Sequence, residues 1–281
     1  MDEYFRPQTL TDALAVLDRT GATVAAGCTD LFAGTQKQTL PGPVLDLTAI
    51  AALRGIAATP EGWRIGATTT WSDVLGADLP PAFDMLKQAA REVGSVQIQN
   101  AGTVAGNLCN ASPAADGVPP LLALGAQVEL RSASGRRTLP LSHFLTGVRA
   151  TRRGASELVT AIHVPRAAAR GRSGFLKLGA RRFLVISIAM VAVRVAETAG
   201  RVDDIALAVG SCSAVATRLP EVESACLGQP VASIGDHVRD DAVARALSPI
   251  TDIRADAAYR ATAATELLRR ALRDVTAGAL A

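Results

Sequence analysis

Apolar positions along this chain change their period several times, and each change marks an element. Leu14, Val16 and Leu17 lie at helical spacing behind Thr11, a candidate cap, and Gly21 ends the run. Thr23 to Ala26 and Val44 to Leu47 are short apolar runs of strand type, so residues 1–55 predict a small α/β unit. Residues 55 to 75 alternate as a hairpin around Pro60, Glu61 and Gly62, and a short helix opens at Trp71 with Thr70 or Ser72 as its cap. Phe83, Leu86, Ala90 and Val93 share one face of a helix from Pro81 to Val93. Gln127 to Leu130 and Arg137 to Leu139 pair around an SASGR turn, and Glu157 to Val164 reads as a strand that Pro165 stops. These elements form a second unit, residues 56–168.

The polar, basic stretch Arg166 to Gly174 reads as a join between domains. Beyond it, over residues 172–281, the pattern changes to three strands followed by helices. The strands are Phe175 to Leu178, Ile186 to Val195 and Val202 to Val209, with Ala199 and Gly200 as a turn. The helices are Pro220 to Leu227, Asp236 to Leu247 and a long one from Asp256 to Leu280. Strands grouped before helices predict an α+β domain.

Two glycine-bearing stretches interrupt these patterns. In GCTDLFAG, Gly27 to Gly34, a strand ends in glycine, and Thr29 and Asp30 stand where a helix would start. In Gly94 to Leu124, Gly102, Thr103 and Gly106 precede Asn107, Asn110, Ser112, Pro113 and Asp116, and an apolar helical run follows. That order predicts an extended segment, a tight loop and a helix starting near Pro113. Glycine lets backbone approach a ligand closely, and exposed N–H groups in such loops cradle anions such as phosphate. Ordinary capped turns account for either stretch taken alone.

Composition narrows the chemistry. Of 281 residues, 49% are apolar and 20% charged, an ordinary globular balance. A net charge of +3 and 4% aromatic residues give no footprint for nucleic acid. The N-terminus lacks the apolar core of a signal peptide, and the apolar run at Leu184 to Val193 is too short to span a bilayer, so a cytoplasmic chain without membrane insertion is expected. The four cysteines are scattered without a CxxC pair, so no metal or iron–sulfur site is expected here. His143, His163 and His237 lie far apart, and His163 inside a strand reads as structural. There is no GxxxxGK[ST], HExxH, GxSxG or GxGxxG. Two glycine loops suited to an extended anionic cofactor remain.

AAGCTDL, Ala25 to Leu31, with QIQNAGTVAGNLCNASPAAD, Gln97 to Asp116, resembles the FAD-binding medium subunit of the molybdenum hydroxylases, the family of xanthine dehydrogenase and aerobic carbon monoxide dehydrogenase. The family's motifs read AGGTDL and NxGTIGGNLxxASPxxD, and KLGARR, Lys177 to Arg182, matches the start of its C-terminal domain. The resemblance covers the whole chain. Cys28 and Ala105 stand where the family carries glycines, and the four-cysteine insert of some relatives is absent.

The resemblance implies a two-subdomain FAD-binding fold of the vanillyl-alcohol-oxidase (PCMH) type, followed by a C-terminal α+β domain with a three-stranded antiparallel sheet. It implies FAD bound between the subdomains. Ala26, Gly27, Cys28, Thr29, Asp30 and Leu31 would surround the pyrophosphate, with Thr103, Gly106 and Asn107 approaching from the second loop. Asp116 matches an acid on the adenosine ribose, Lys177 a lysine that tunes the flavin ring, and Leu158 or Val159 would pack nearby. Thr69 and Thr70 are further candidates. The implied oxidoreductase is heteromeric: a molybdopterin large subunit hydroxylates substrate, [2Fe-2S] clusters on a small subunit carry electrons, and the flavin passes them to NAD+, oxygen or another acceptor. A flavin-binding scaffold and a free-standing flavin oxidoreductase are the alternative readings, the latter weakened by the lack of an acid–base pair.

Overall fold

Three sheets carry the chain in the computed structural model, which describes residues 3–36, 40, 42–182 and 184–278. The first sheet joins β1 (Tyr4–Phe5), β2 (Thr23–Ala25) and β3 (Val44–Asp46) in the parallel order β1-β3-β2. Between β1 and β2 runs α1 (Leu10–Thr20), which buries Ala13, Leu14 and Leu17 against Leu45. Its cap is Thr9, not Thr11: the Thr9 hydroxyl accepts from the Asp12 N–H at 3.1 Å. Gly21 ends the helix at φ +59, a conformation glycine takes without a Cβ penalty.

The second sheet is antiparallel. It contains β4 (Ile56–Thr59), β5 (Gly62–Gly66), β6 (Gln127–Ser132) and β7 (Gly135–Pro140). A separate small hairpin, β8 (Leu145–Gly147) and β9 (Ala150–Thr151), leads into β10 (Leu158–Pro165). β10 takes the central place in the order β4-β5-β10-β6-β7, and Leu158 through Ile162 are buried. A strand covered on both faces needs a continuous apolar run, which explains why ELVTAIHV carries so little polarity. The one ionisable residue of β10 itself, His163, lies 3.2 Å from Glu129 on the neighbouring strand, a structural pairing.

Five short helices cover this sheet: α2 (Trp71–Gly76), α3 (Asp84–Glu92), α4 (Val96–Ala101), α5 (Val104–Asn110) and α6 (Val118–Ala123). A further turn, α7 (Leu141–Phe144), follows β7. The stretch from Gly94 therefore differs from the expected extended segment and loop. It is two helices meeting at Gly102 and Thr103, each started by a hydroxyl: Ser95 accepts from Ile98 N–H and Thr103 from Gly106 N–H. The next helix begins at Val118, not Pro113, because Pro119 and Pro120 are tolerated only in a first turn, where N–H groups lack helical partners.

The third sheet has four antiparallel strands, one more than expected: β11 (Arg172–Leu178), β12 (Ala189–Thr198), β13 (Arg201–Gly210) and β14 (Thr217–Arg218). The fourth strand has only two residues, too few to show alternation in sequence. Helices α8 (Pro220–Cys226), α9 (Asp240–Ala246) and α10 (Ala257–Ala277) complete the unit. α9 starts four residues later than expected, after a 3-10 segment from Val231 to His237. Residue 280, the expected end of the last helix, lies outside the described residues.

β12 serves two cores. Met190 and Ala192 join Phe175 and the α3 and α6 side chains in the middle core, while Val191, Val193 and Val195 face the core closed by α8 and α10. Successive side chains of a strand point to opposite faces, so one strand can do this only with apolar residues on both. Arg194 is buried on the middle-core side, where it pairs with Asp204 at 2.8 Å and donates to the Ala123 carbonyl of α6. No helix among the described residues is long and apolar enough to cross a membrane.

Candidate cofactor cleft

A cleft of about 1000 Å³ runs between the first sheet and the helical side of the second. One wall is the loop after β2, Ala26 to Leu31; the other is the meeting point of α4 and α5, with Gly102, Thr103, Gly106 and Asn107. The two walls touch through glycine. A Cβ on Gly27 would lie 2.0 Å from the Ala101 carbonyl oxygen, so no other residue fits there without moving backbone. A Cβ on Gly102 would press the Ile98 carbonyl at 2.9 Å and the Thr29 hydroxyl at 3.4 Å. The close approach expected of these loops is thus first an approach to each other.

Around that contact, backbone donors stay unpaired. The N–H groups of Gly27, Cys28, Thr29, Asp30 and Leu31 have no acceptor among the described residues, nor does that of Ala105. Phe32 and Gly34 donate back to the Cys28 and Asp30 carbonyls at 3.1 and 2.9 Å, so residues 28 to 34 make successive turns rather than a helix. Cys28 adopts φ +59, the left-handed region, where a side chain costs of order 1 kcal/mol relative to glycine. Ala105 lies inside α5 and carries no such penalty.

The sequence-predicted residues separate into two groups. Ala26, Gly27, Cys28, Thr29, Asp30, Leu31, Thr103, Gly106, Asn107, Leu158 and Val159 all line the cleft. Thr69, Thr70, Asp116 and Lys177 are not among its lining residues. The Thr69 hydroxyl is used between the Gly55 N–H and carbonyl, at 3.0 and 3.1 Å. Thr70 caps α2 in a reciprocal pair with Asp73. Asp116 and Lys177 form a buried ion pair at 2.9 Å, to which Ser187 and the Glu92 carbonyl add hydrogen bonds at 3.4 and 3.3 Å. Burial pushes the Asp116 carboxyl up to about 6, against the opposing pull of the Lys177 ammonium.

Other cleft residues carry no ligand signal in the sequence: Trp71, Arg149, Thr151 and Arg153. The ATTT run offers the hydroxyls of Thr68, Thr69 and Thr70 alike; all three are buried, and only their hydrogen-bond partners distinguish them. Thr68 Oγ1 is buried without a hydrogen-bond partner, and so is Asn107 Oδ1. Buried polar atoms are normally satisfied, so two orphans in one cleft point to a missing polar partner. Together with six free N–H groups and a glycine-built approach, they fit an extended cofactor carrying phosphates and hydrogen-bonding ring edges.

The family described as the FAD binding domain in molybdopterin dehydrogenase matches residues 1–167. The chain belongs to this family of FAD-binding medium subunits of molybdenum hydroxylases. The CO dehydrogenase flavoprotein C-terminal domain matches residues 174–275. Among curated relatives, the glyceraldehyde dehydrogenase medium chain of Sulfolobus acidocaldarius is 31% identical over 97% of this chain and 97% of its own. The nicotine 6-hydroxylase medium subunit of Paenarthrobacter nicotinovorans is 29% identical over 98% and 97%. The structure of carbon monoxide dehydrogenase from Hydrogenophaga pseudoflava superposes with a TM-score of 0.87 at 28% identity, covering 98% of this chain and 97% of that one. This medium subunit is thus an FAD-binding flavoprotein of an oxidoreductase, with the fold that the resemblance implied.

Proposed function

We propose that this medium subunit takes electrons from [2Fe-2S] clusters on a small partner subunit, after substrate oxidation at a molybdopterin large subunit, and delivers them to a final acceptor such as NAD+ or oxygen in the cytoplasm. The observation that carries this reading is a cleft with free backbone donors and two orphaned buried polar atoms, with no acid–base pair among its described lining residues. Bound FAD supplies a carrier able to exchange electrons singly or in pairs, which suits a position between clusters and a two-electron acceptor.

The chain's own part is binding and orientation. The N–H groups of residues 27 to 31 and Ala105 offer a preorganised nest for the pyrophosphate, which costs no rearrangement when the charge arrives. Gly27 fixes the spacing of the walls, and Thr103 holds the start of α5 by its hydroxyl at 3.1 Å from the Gly106 nitrogen. Leu158 and Val159, at the buried start of β10, give an apolar surface for a ring. Asp116 and Lys177 form a pair outside the lining, and Lys177 donates to the carbonyl of Glu92 beside the lining residue Val93, so we propose that they act on the cofactor site by fixing this end of α3.

Thr68→Val tests the site. Valine keeps the shape and removes the orphan hydroxyl. FAD affinity should fall about fivefold while the apo chain keeps or gains stability, since about 1 kcal/mol of hydrogen bonding is lost only in the complex. Flavin fluorescence titration and thermal unfolding read the two quantities; unchanged affinity removes Thr68 from the site. For the electron-transfer role, anaerobic mixing with the reduced small subunit should bleach the flavin absorbance. A flavin that stays oxidised would favour a scaffold.

A further inference from the structure

Lys177 was the cation expected at the flavin, yet the cations that line the cleft are Arg149 and Arg153. Neither has a carboxylate within ion-pairing distance among the described residues. Arg149 occupies the turn between β8 and β9 at φ +57. Its N–H donates to the Ala111 carbonyl at 2.9 Å, and its Nη1 donates to the Asn110 carbonyl at 3.3 Å and to the Asn110 amide oxygen. Arg153 Nη1 donates to the carbonyls of Glu157 and Gly154 at 2.8 and 3.2 Å. The Glu157 carboxylate is held directly by Arg137 at 2.6 and 2.7 Å, and Arg153 acts on it only at longer range, as a charge that helps keep it below the ordinary carboxylate range. Asp30 is the one acid among the described lining residues, and it stands on the opposite loop.

Both guanidinium groups are therefore oriented by neutral acceptors, and each keeps N–H donors in hand out of five. The non-glycine residue held at positive φ is a strain that the neighbouring contacts maintain. Place along the cleft also matters. Thr103 and Gly106 stand at the start of α5, and Asn110, with Arg149 against it, stands at its end. Seven helical residues span about 10 Å. Arg149 is thus set apart from the glycine loops, and the charge of Arg153 acts on Cys109, one residue before Asn110 at the same end of α5.

We infer that Arg149 and Arg153 form a second anion-recognising end of the cleft, built for a phosphate group of a dinucleotide. A planar guanidinium fork matches phosphate oxygens in a bidentate way that a lysine does not. The inference rests on the cofactor reading above. The phosphate has two sources: that of a second dinucleotide which collects the electrons, or the cofactor's own pyrophosphate, in which case it lies here and not in the nest of residues 27 to 31.

The experiment compares wild type with Arg149→Gln/Arg153→Gln and with the charge-keeping Arg149→Lys/Arg153→Lys. FAD and riboflavin are titrated against the apo chain, NAD+ against the FAD-loaded chain, and inorganic pyrophosphate against the apo chain by calorimetry. If the cofactor's phosphates are the ligand, the glutamine variant loses about tenfold or more in FAD affinity and nothing for riboflavin. If a second dinucleotide is the ligand, FAD affinity holds and NAD+ affinity falls by a similar factor. In both cases the lysine variant recovers part of the loss and the wild-type salt dependence is reduced in the glutamine variant. Equal losses for FAD and riboflavin, or no loss for any ligand, would overturn the inference. A wild-type chain that takes no FAD would instead overturn the cofactor reading. Pyrophosphate then still decides the arginine end: binding lost in the glutamine variant supports it, and unchanged or absent binding rejects it.

Discussion

Cys28 concentrates the local strain of the cofactor loop. The family motif has glycine there, and the structure shows why: φ is +59. Cys28→Gly should raise the stability of the apo chain by about 1 kcal/mol, read as a higher denaturant midpoint at unchanged slope. Asp116 and Lys177 test a different balance. Removing one partner of a buried ion pair strands the other, so Lys177→Ala should cost about 3–5 kcal/mol of stability. The Asp116 carboxyl also sets a pH dependence. Its folded value of about 6 lies above the ordinary 3.8, so its stabilising contribution is full below about 4 and is lost as pH rises through 6. Urea midpoints of wild type should therefore fall from pH 4 to 6 relative to Asp116→Asn; parallel curves would mean that the group does not titrate there. At this scale the sequence was legible where a motif names residues and silent where the hydrogen-bond partner decides. Thr68, Thr69 and Thr70 are identical letters, yet one is an orphan in the cleft, one ties Gly55 and one caps a helix.

At the scale of elements, the cleft depends on two short helices. α4 and α5 have six and seven residues, too short to stand alone in water. They persist because Ser95 and Thr103 cap them, the Val104 N–H reaches the Thr69 carbonyl at 2.9 Å, and Leu108 is buried. A periodicity test needs more turns than either offers, which is why this stretch read as extended chain and loop while α10, with twenty-one residues, was plain. The same shortness makes the junction sensitive. Gly27→Ala should push the β2 loop off Ala101 and part the walls, since the intruding methyl meets backbone, not a movable side chain. FAD retention through gel filtration should be lost while far-ultraviolet circular dichroism stays native; a variant that holds FAD stoichiometrically would show that the walls can shift.

For the whole molecule, order and type of the major elements were readable because strands grouped with strands and helices with helices after residue 172. The way the third sheet attaches was not readable, since contacts such as Arg194 to Ala123 link positions seventy-one residues apart. Apolar side chains of β11, β12 and β13 lie in the middle core. A chain ending at residue 168 should therefore expose that core and fail to reach the native state, seen as loss of a cooperative thermal transition; a soluble, cooperatively melting fragment would argue for independent units. β12 has a further consequence. Its odd-numbered residues spell one interior and its even-numbered residues another, like two messages written in alternate letters. Exchanging a letter alters one message. Deleting a single residue shifts the frame and scrambles both, carrying Arg194 toward the greasy side and valines toward its partners. Lineages of this subunit should accordingly vary the spelling of this strand freely within apolar types, and leave its length alone.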